Sequence, residues 1–319
     1  MMKKTLHTFV GICLLLAGTT GCSKNNDAPE GTEGHKHQGT LYYKWADEGT
    51  LKLNIGTGEK SLLLPTDVKQ NGFFVNKSQN KILVLSDIQG DPDNESLKII
   101  NLPDGSLITE IKVDKGNHSG FVHPQLSVDE KYMLAQSLLP EKVIVIEISA
   151  KKAYILNEIN GQKITDAVWM PDGSVLLGTE QAIYRSSVPF DEIQEIKKLD
   201  FVKWSSLAVS PDGQKIVFKG GQHLWMMNAE GNNLKQITHS ATEEGAPTFS
   251  PDSKYLLVGI QQFAGGAGTW GGYFTMYIIP ADGQQYTIEE GKNTQNVHMV
   301  IAKEEQEPET YNGLVQWLE

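Results

Sequence analysis

Residues 207–238 read LAVSPDGQKIVFKGGQHLWMMNAEGNNLKQIT. The stretch divides into four short runs, LAVS, KIVF, LWMMN and LKQIT, separated by three turn-forming clusters. In Ser210-Pro211-Asp212-Gly213 the proline presets φ and the glycine supplies a positive-φ position. Gly220-Gly221 and Ala229-Glu230-Gly231-Asn232 mark the other two turns. Four strands in about forty residues, joined by hairpin-length turns, make one small antiparallel sheet. A sheet this small cannot cover its own faces, so it needs neighbours of the same kind.

Those neighbours are present. PTFSPDSKYLLVGI (247–260) and AVWMPDGSVLLG (167–178) repeat the first turn and its flanking strands, and PQLSVDEKYMLAQ (124–136) places Asp129 where the others have Asp172, Asp212 and Asp252. The intervals between these aspartates are 43, 40 and 40 residues. FFVNKSQNKILVLS (73–86) is a further copy without the Pro-Asp pair. Four strands recurring every forty residues or so indicate the blades of a β-propeller.

The pattern SPDGQKIVF…LWMMNAEGNNLKQIT resembles the TolB-like propeller repeat, the Pro-Asp relative of the WD40 repeat. The resemblance covers the chain from about residue 40 to its end and implies an all-β, six-bladed fold of four-stranded antiparallel blades. It is nearly silent on activity, because propellers host many unrelated functions. LYYKW, LKLNI and KSLLLP supply three strands of a first blade, and GLVQWLE (313–319) the missing innermost one. The C-terminal strand would then close the ring and leave no inner edge unpaired. Innermost strands near residues 73, 124, 168, 208, 248 and 316 give six blades. Trp169, Phe249 and Trp317 share one repeat position with Leu126 and Val209, which marks blade-to-blade packing.

Ahead of the propeller, Lys3, Lys4 and the apolar run FVGICLLLAG form a signal segment over residues 1–21, too short to stay as a membrane span. Thr19-Thr20-Gly21-Cys22 resembles a bacterial lipoprotein signal, which implies Cys22 as the lipid-bearing residue and a place in the cell envelope, at the outer membrane. Thr19 departs from the leucine usual at that position. Cys13 is the only other cysteine and lies in the removed segment, so no internal disulfide can form. Residues 22–39 are polar and Gly-rich and read as a flexible tether, with a coil span of roughly 22 Å. His35 and His37 within it form an H-x-H pair, and two histidines alone seldom make a zinc site, which takes three or four ligands in fixed geometry. Loss of Lys3 and Lys4 takes the formal charge from −11 to −13, which argues against nucleic acid and anionic lipid surfaces as partners.

In a four-stranded blade the turns after strands one and three open on one face, and the loops after two and four on the other. The first set is short and regular; the second carries the irregular lengths, where binding is expected. Two insertions belong to it. QQFAGGAGTWGGY (261–273) satisfies G-x-G-x-x-G but precedes a strand instead of a helix, which excludes a dinucleotide site. It presents Phe263 and Trp270 to a partner, or folds Trp270 back on its own blade. SDIQGDPDNES (86–96) offers Asp87, Asp91, Asp93 and Glu95 as Ca²⁺ oxygens or, as the simpler reading, forms a solvated acidic turn.

Loops leading into the innermost strands ring the channel mouth with His118, Asp166, Lys203, His239, Glu243 and Glu244. A mostly acidic rim of this kind suits a basic peptide, a cation or a glycan. No G-x-S-x-G or H-E-x-x-H motif occurs, and the chain leaves no room for a hydrolase domain after the propeller. The similar oligogalacturonate lyases hold a metal by channel histidines, and His118, His123, His239 and His298 are the residues this resemblance would enlist. The expectation is a non-catalytic, membrane-tethered envelope propeller that binds another protein or peptide without a cofactor. Glycan or small-molecule binding at the channel mouth is the alternative, followed by a metal-dependent polysaccharide lyase.

Overall fold

The computed structural model describes residues 37–45, 48–115, 120–138, 141–262 and 273–319. Cys22, the signal segment and most of the tether lie outside them. The described residues form six antiparallel sheets, each a blade running outward from an innermost strand. Blade one combines Val315–Leu318 with Thr40–Trp45, Gly49–Asn54 and Lys60–Leu64. The innermost strands of blades two to six are Gln70–Val75, Phe121–Leu126, Gln162–Trp169, Trp204–Val209 and Glu244–Phe249. All six expected blades are present, so the fold is a six-bladed propeller.

The Pro-Asp-Gly turn repeats because its side chains complete its own hydrogen bonds. Ser210 Oγ donates to Asp212 Oδ1 at 2.6 Å, and the same carboxylate oxygen accepts Gln214 N at 3.0 Å. Lys215 N in turn donates to Ser210 Oγ. Ser250 with Asp252 and Ser127 with Asp129 reproduce the arrangement. The fourth turn residue must take a positive φ, which Gly213 (71°) and Gly173 (85°) adopt without penalty. Gln79 (54°), Glu130 (55°) and Ser253 (60°) hold the same conformation at the same repeat position without that freedom. Each of the three reaches across to the preceding blade. Gln79 accepts from Tyr42 Oη at 2.8 Å, Glu130 accepts from Asn76 and Lys81, and Ser253 Oγ accepts Asp212 N at 3.1 Å. Local strain is thus offset by bonds that tie blades together.

The apolar core fills the spaces between blades. Leu126, Trp169, Phe249 and Trp317 are all buried at their shared position. The residue just before this position faces the next blade, and where it is polar it bonds that blade's innermost strand. Gln125 donates to Ala167 O (3.0 Å), Thr248 to Val315 O (3.3 Å), and Gln316 both accepts Val75 N (2.7 Å) and donates to Val75 O (3.1 Å).

Thr40, Leu41, Tyr42 and Tyr43 pair with Leu318, Trp317, Gln316 and Val315, which closes the ring as the repeats required. The ordered propeller starts earlier than expected, however. His37 is buried, Trp317 Nε1 donates to Gln38 O at 2.9 Å, and Ile55 N donates to Gly39 O at 2.9 Å. Residues 37–39, assigned to the tether by composition, are therefore a seated part of the domain. A Cβ on Gly39 would lie 2.4 Å from Leu318 O, so only glycine fits there.

Of the two outer-strand alternatives in blade six, VHMVIA supplies the strand: His298–Met299 pairs with Tyr273–Pro280. YTIEE belongs to the excursion and rides along blade five, where Tyr286 bridges Thr238 in parallel and donates its N–H to Ile237 O. Ile288 and Val297 anchor the excursion in the core shared with blade six. Gln316→Ala leaves Val75 N and O without their cross-blade partner, and we expect a lower urea midpoint corresponding to about 1–2 kcal/mol.

Candidate functional site

Five innermost strands are bulged near their beginnings, with register shifts between Gln70/Gly72, Val122/Gln125, Ile164/Asp166, Ser205/Ala208 and Gly245/Thr248. A bulge inserts residues without a partner and re-aims their side chains. His123 (φ 51°), Ser206 (61°) and Ala246 (44°) take the left-handed conformation at the bulge. With Asp166 and Gly72 they occupy one repeat position on the innermost strands, three residues before the packed one. His123 has an accessible side chain, yet protein surrounds it, and burial pushes its imidazole pKa down.

Asp166 is the carboxylate on this ring. Its Oδ2 accepts Leu207 N at 2.8 Å and its Oδ1 accepts Ala167 N at 2.9 Å, so it joins blade four to blade five. Burial raises its pKa to about 6, against the backbone donors and Gln136, which favour the ionised form. It is a seam residue as much as a rim residue.

The other rim candidates divide sharply. Lys203 is exposed beside Val202, which is 102% exposed. His239 is exposed, with its ring 5.1 Å from that of His223. Glu243 is ion-paired with Lys219. Glu244 has no exposed side chain: its Oε2 meets His223 Nδ1 at 2.7 Å and its Oε1 accepts Ser240 N at 2.8 Å. Of the two glutamates expected on a mostly acidic rim, Glu244 is buried and Glu243 is partly exposed and neutralised by Lys219. Partly buried Lys44 and buried Lys142 add positive charge on the same face. Lys44 Nζ donates to Gln70 O, Lys142 stands 5.0 Å over the Phe121 ring, and burial lowers both ammonium pKa values. His118, Phe263 and Trp270 lie outside the described residues; the strands Tyr255–Gln262 and Tyr273–Pro280 flank the segment that carries the last two.

Two residues of this face escaped the sequence reading. Val68 is 93% exposed, and it stands at the same repeat position as Val202, each followed by a lysine, Lys69 and Lys203. Aligning the connectors as well as the strands would have exposed the shared Val-Lys pair.

The acidic insertion is a hairpin extension and not a turn. Lys81–Ile88 and Asp91–Asn101 stay paired up to Asp87↔Glu95 and, past a bulge, Ile88↔Asp91. Its carboxylates point apart. Asp87 pairs with Lys115 at 2.9 Å, Asp91 accepts from Asn94, and Asp93 is exposed. Glu95 is buried, bonded to Phe121 N and Asn71 Nδ2 at 2.7 Å each, with its pKa raised by burial. Glu95 thus caps the next blade's first strand, and the four residues do not converge as Ca²⁺ ligands would.

The histidines enlisted by the lyase resemblance are dispersed as well. His123 sits at the bulge of the third blade's innermost strand, His239 packs against His223, and His298 Nδ1 lies 2.7 Å from His37 Nε2 on the opposite face. Among the described residues, no three His, Cys, Asp or Glu side chains are grouped to hold a metal.

A raised carboxylate pKa has a definite sign. The folded chain keeps the Asp166 proton up to about pH 6 while the unfolded chain releases it near 4, so this group costs stability as pH rises between those values. We expect the stability of Asp166→Asn relative to the native chain to rise by about 2 kcal/mol from pH 4 to pH 7, read from paired urea titrations.

No family model matches the chain. A 120-residue stretch is 27% identical to the uncharacterized peptidase YuxL of Bacillus subtilis (strain 168), covering 35% of this chain and 18% of that protein. The match thus spans under a fifth of the relative's length. TolB from Acinetobacter baumannii superposes with a TM-score of 0.59 at 15% identity, over 88% of this chain and 66% of that chain. An oligogalacturonate lyase in complex with manganese gives a TM-score of 0.53 at 14% identity, over 69% and 70%. At such identities the likeness is one of fold, and the fold is that of a TolB-like propeller.

Proposed function

We propose that the protein is a non-catalytic propeller, tethered through a lipid on Cys22 in a bacterial envelope, that binds another protein or peptide on its irregular-loop face. The observation that carries this reading is the asymmetry of the two faces. His37–Gly39 are seated on the turn face, against Trp317 and the Ser250–Asp252 turn. The loop face presents Val68 and Val202, apolar side chains in full contact with solvent, and the strands bounding the Phe263 and Trp270 segment end on it. Aliphatic and aromatic side chains on loops held by a rigid scaffold suit a protein partner.

Crosslinking in intact envelopes, followed by recovery of the chain, tests the reading. Val202→Asp and Trp270→Ala should each reduce recovery of the same partner roughly tenfold, the loss of an interface hot spot. Cys22→Ser should move the chain from the membrane to the soluble fraction. Equal recovery from all variants would remove the loop face from the proposal, and membrane retention of Cys22→Ser would remove the anchor.

A further inference from the structure

We propose that His223 and His239 form a binding site for a divalent late transition metal (Zn²⁺, Ni²⁺ or Cu²⁺) on the loop face, oriented by Glu244. The site lies where blade five meets blade six, on the first residue of the strand His223–Asn228 and on the connector that follows Thr238. It uses none of the bulge positions His123, Asp166, Ser206 and Ala246.

Three features carry it. The first is the carboxylate behind the imidazole. Glu244 has no exposed side chain, and its Oε2 meets His223 Nδ1 at 2.7 Å. A carboxylate there accepts a hydrogen bond from Nδ1–H and leaves Nε2 as the nitrogen available to a metal; metal-bound histidines are held in this way. Glu244 is itself fixed, since its Oε1 accepts Ser240 N.

The second feature is ring separation. A ligating nitrogen sits about 2.0–2.1 Å from Zn²⁺, which puts each ring centroid about 3.2 Å from the ion, and a tetrahedral angle then separates two centroids by roughly 5 Å. The His223 and His239 rings stand 5.1 Å apart with 50° between their planes. Face-to-face stacking would need nearly parallel rings, which this pair lacks.

The third is a rigid base under the second ligand. His239 N donates to Tyr286 O at 2.9 Å, and His239 O accepts from Thr287 Oγ1 at 3.3 Å. Ser240 Oγ accepts Ile288 N at 2.9 Å, and Ile288 is anchored in the core. The excursion that displaced blade six's outer strand thus clamps the main chain under His239, while its imidazole stays exposed. Ligands on a fixed backbone lose little entropy on coordination.

Imidazole favours zinc, copper and nickel over calcium or magnesium. Two protein ligands leave further coordination positions to water or to a carboxylate or imidazole of a bound partner. The site is therefore open and solvent-facing, unlike a closed structural zinc site.

Calorimetric titration of the metal-free full chain with ZnCl₂ at neutral pH tests the proposal. One equivalent should bind. His239→Gln alters an exposed side chain and should leave the metal-free melting curve unchanged while weakening binding at least tenfold. Glu244→Gln should weaken it 10–100-fold, the usual loss on removing an orienting carboxylate. His35→Ala, which alters the separate H-x-H pair near the N-terminus, should bind as the native chain does. Absence of binding, affinity of His239→Gln within twofold of native, or loss of binding in His35→Ala would each overturn the assignment.

Discussion

Four residue pairs, Thr40–Leu318 through Tyr43–Val315, decide whether this molecule is a ring or an unrolled row of sheets. A blade is hydrophobic on both faces and can bury them only against its neighbours. An open row would leave two such faces in water. One would carry Tyr43 and Trp317, which are buried in the closed ring together with Leu41, Leu53 and Met276. Apolar contact alone does not set the angle between blades, and each seam adds polar links that do. Gln316 and Gln79 tie blade one to two, Glu95 and Glu130 tie two to three, and Gln125 ties three to four. Asp166 ties four to five, Ser253 ties five to six, and Thr248 returns the ring to blade one. These bonds run from side chain to main chain or cross one seam only, so each specifies a neighbour and a register.

The architecture was legible because it is repeated. Four copies of one turn at near-constant spacing, a fifth eroded copy, and one buried position shared by Trp169, Phe249 and Trp317 are signals that survive the erosion of any single copy. The site was less legible, for a reason visible in Glu95 and Glu244. Both sit in polar stretches, and both read as surface carboxylates. Each is turned inward by a contact more than twenty residues away or from a neighbouring strand, to Phe121 N and to His223. No local pattern distinguishes a glutamate that faces water from one that caps a strand. Residues 37–39 misled in the same way. Their composition suits a coil, while their order comes from Trp317 and Ile55, remote in sequence.

The two faces differ in how their main-chain groups are satisfied. On the turn face, serine and aspartate side chains close each turn locally, so its shape repeats and little is left to recognise a partner. On the loop face, Lys219, His223, Ser240 and the buried acids satisfy one another across longer and less regular connections. The exposed valines stand on connectors between blades, held at both ends by strands whose inner residues are buried.

The pairing that closes the ring also imposes an order in time. Val315–Leu318 follow Thr40–Trp45 in the sequence by nearly the full extent of the propeller. A chain made or exported from its N-terminus holds blade one incomplete until this final strand emerges, with Leu41 and Tyr43 lacking their inner neighbour throughout. Such a delay prolongs the exposure of an unpaired edge, the condition in which β-rich chains are captured by chaperones or by one another. Any product ending before Val315 would remain in that state permanently.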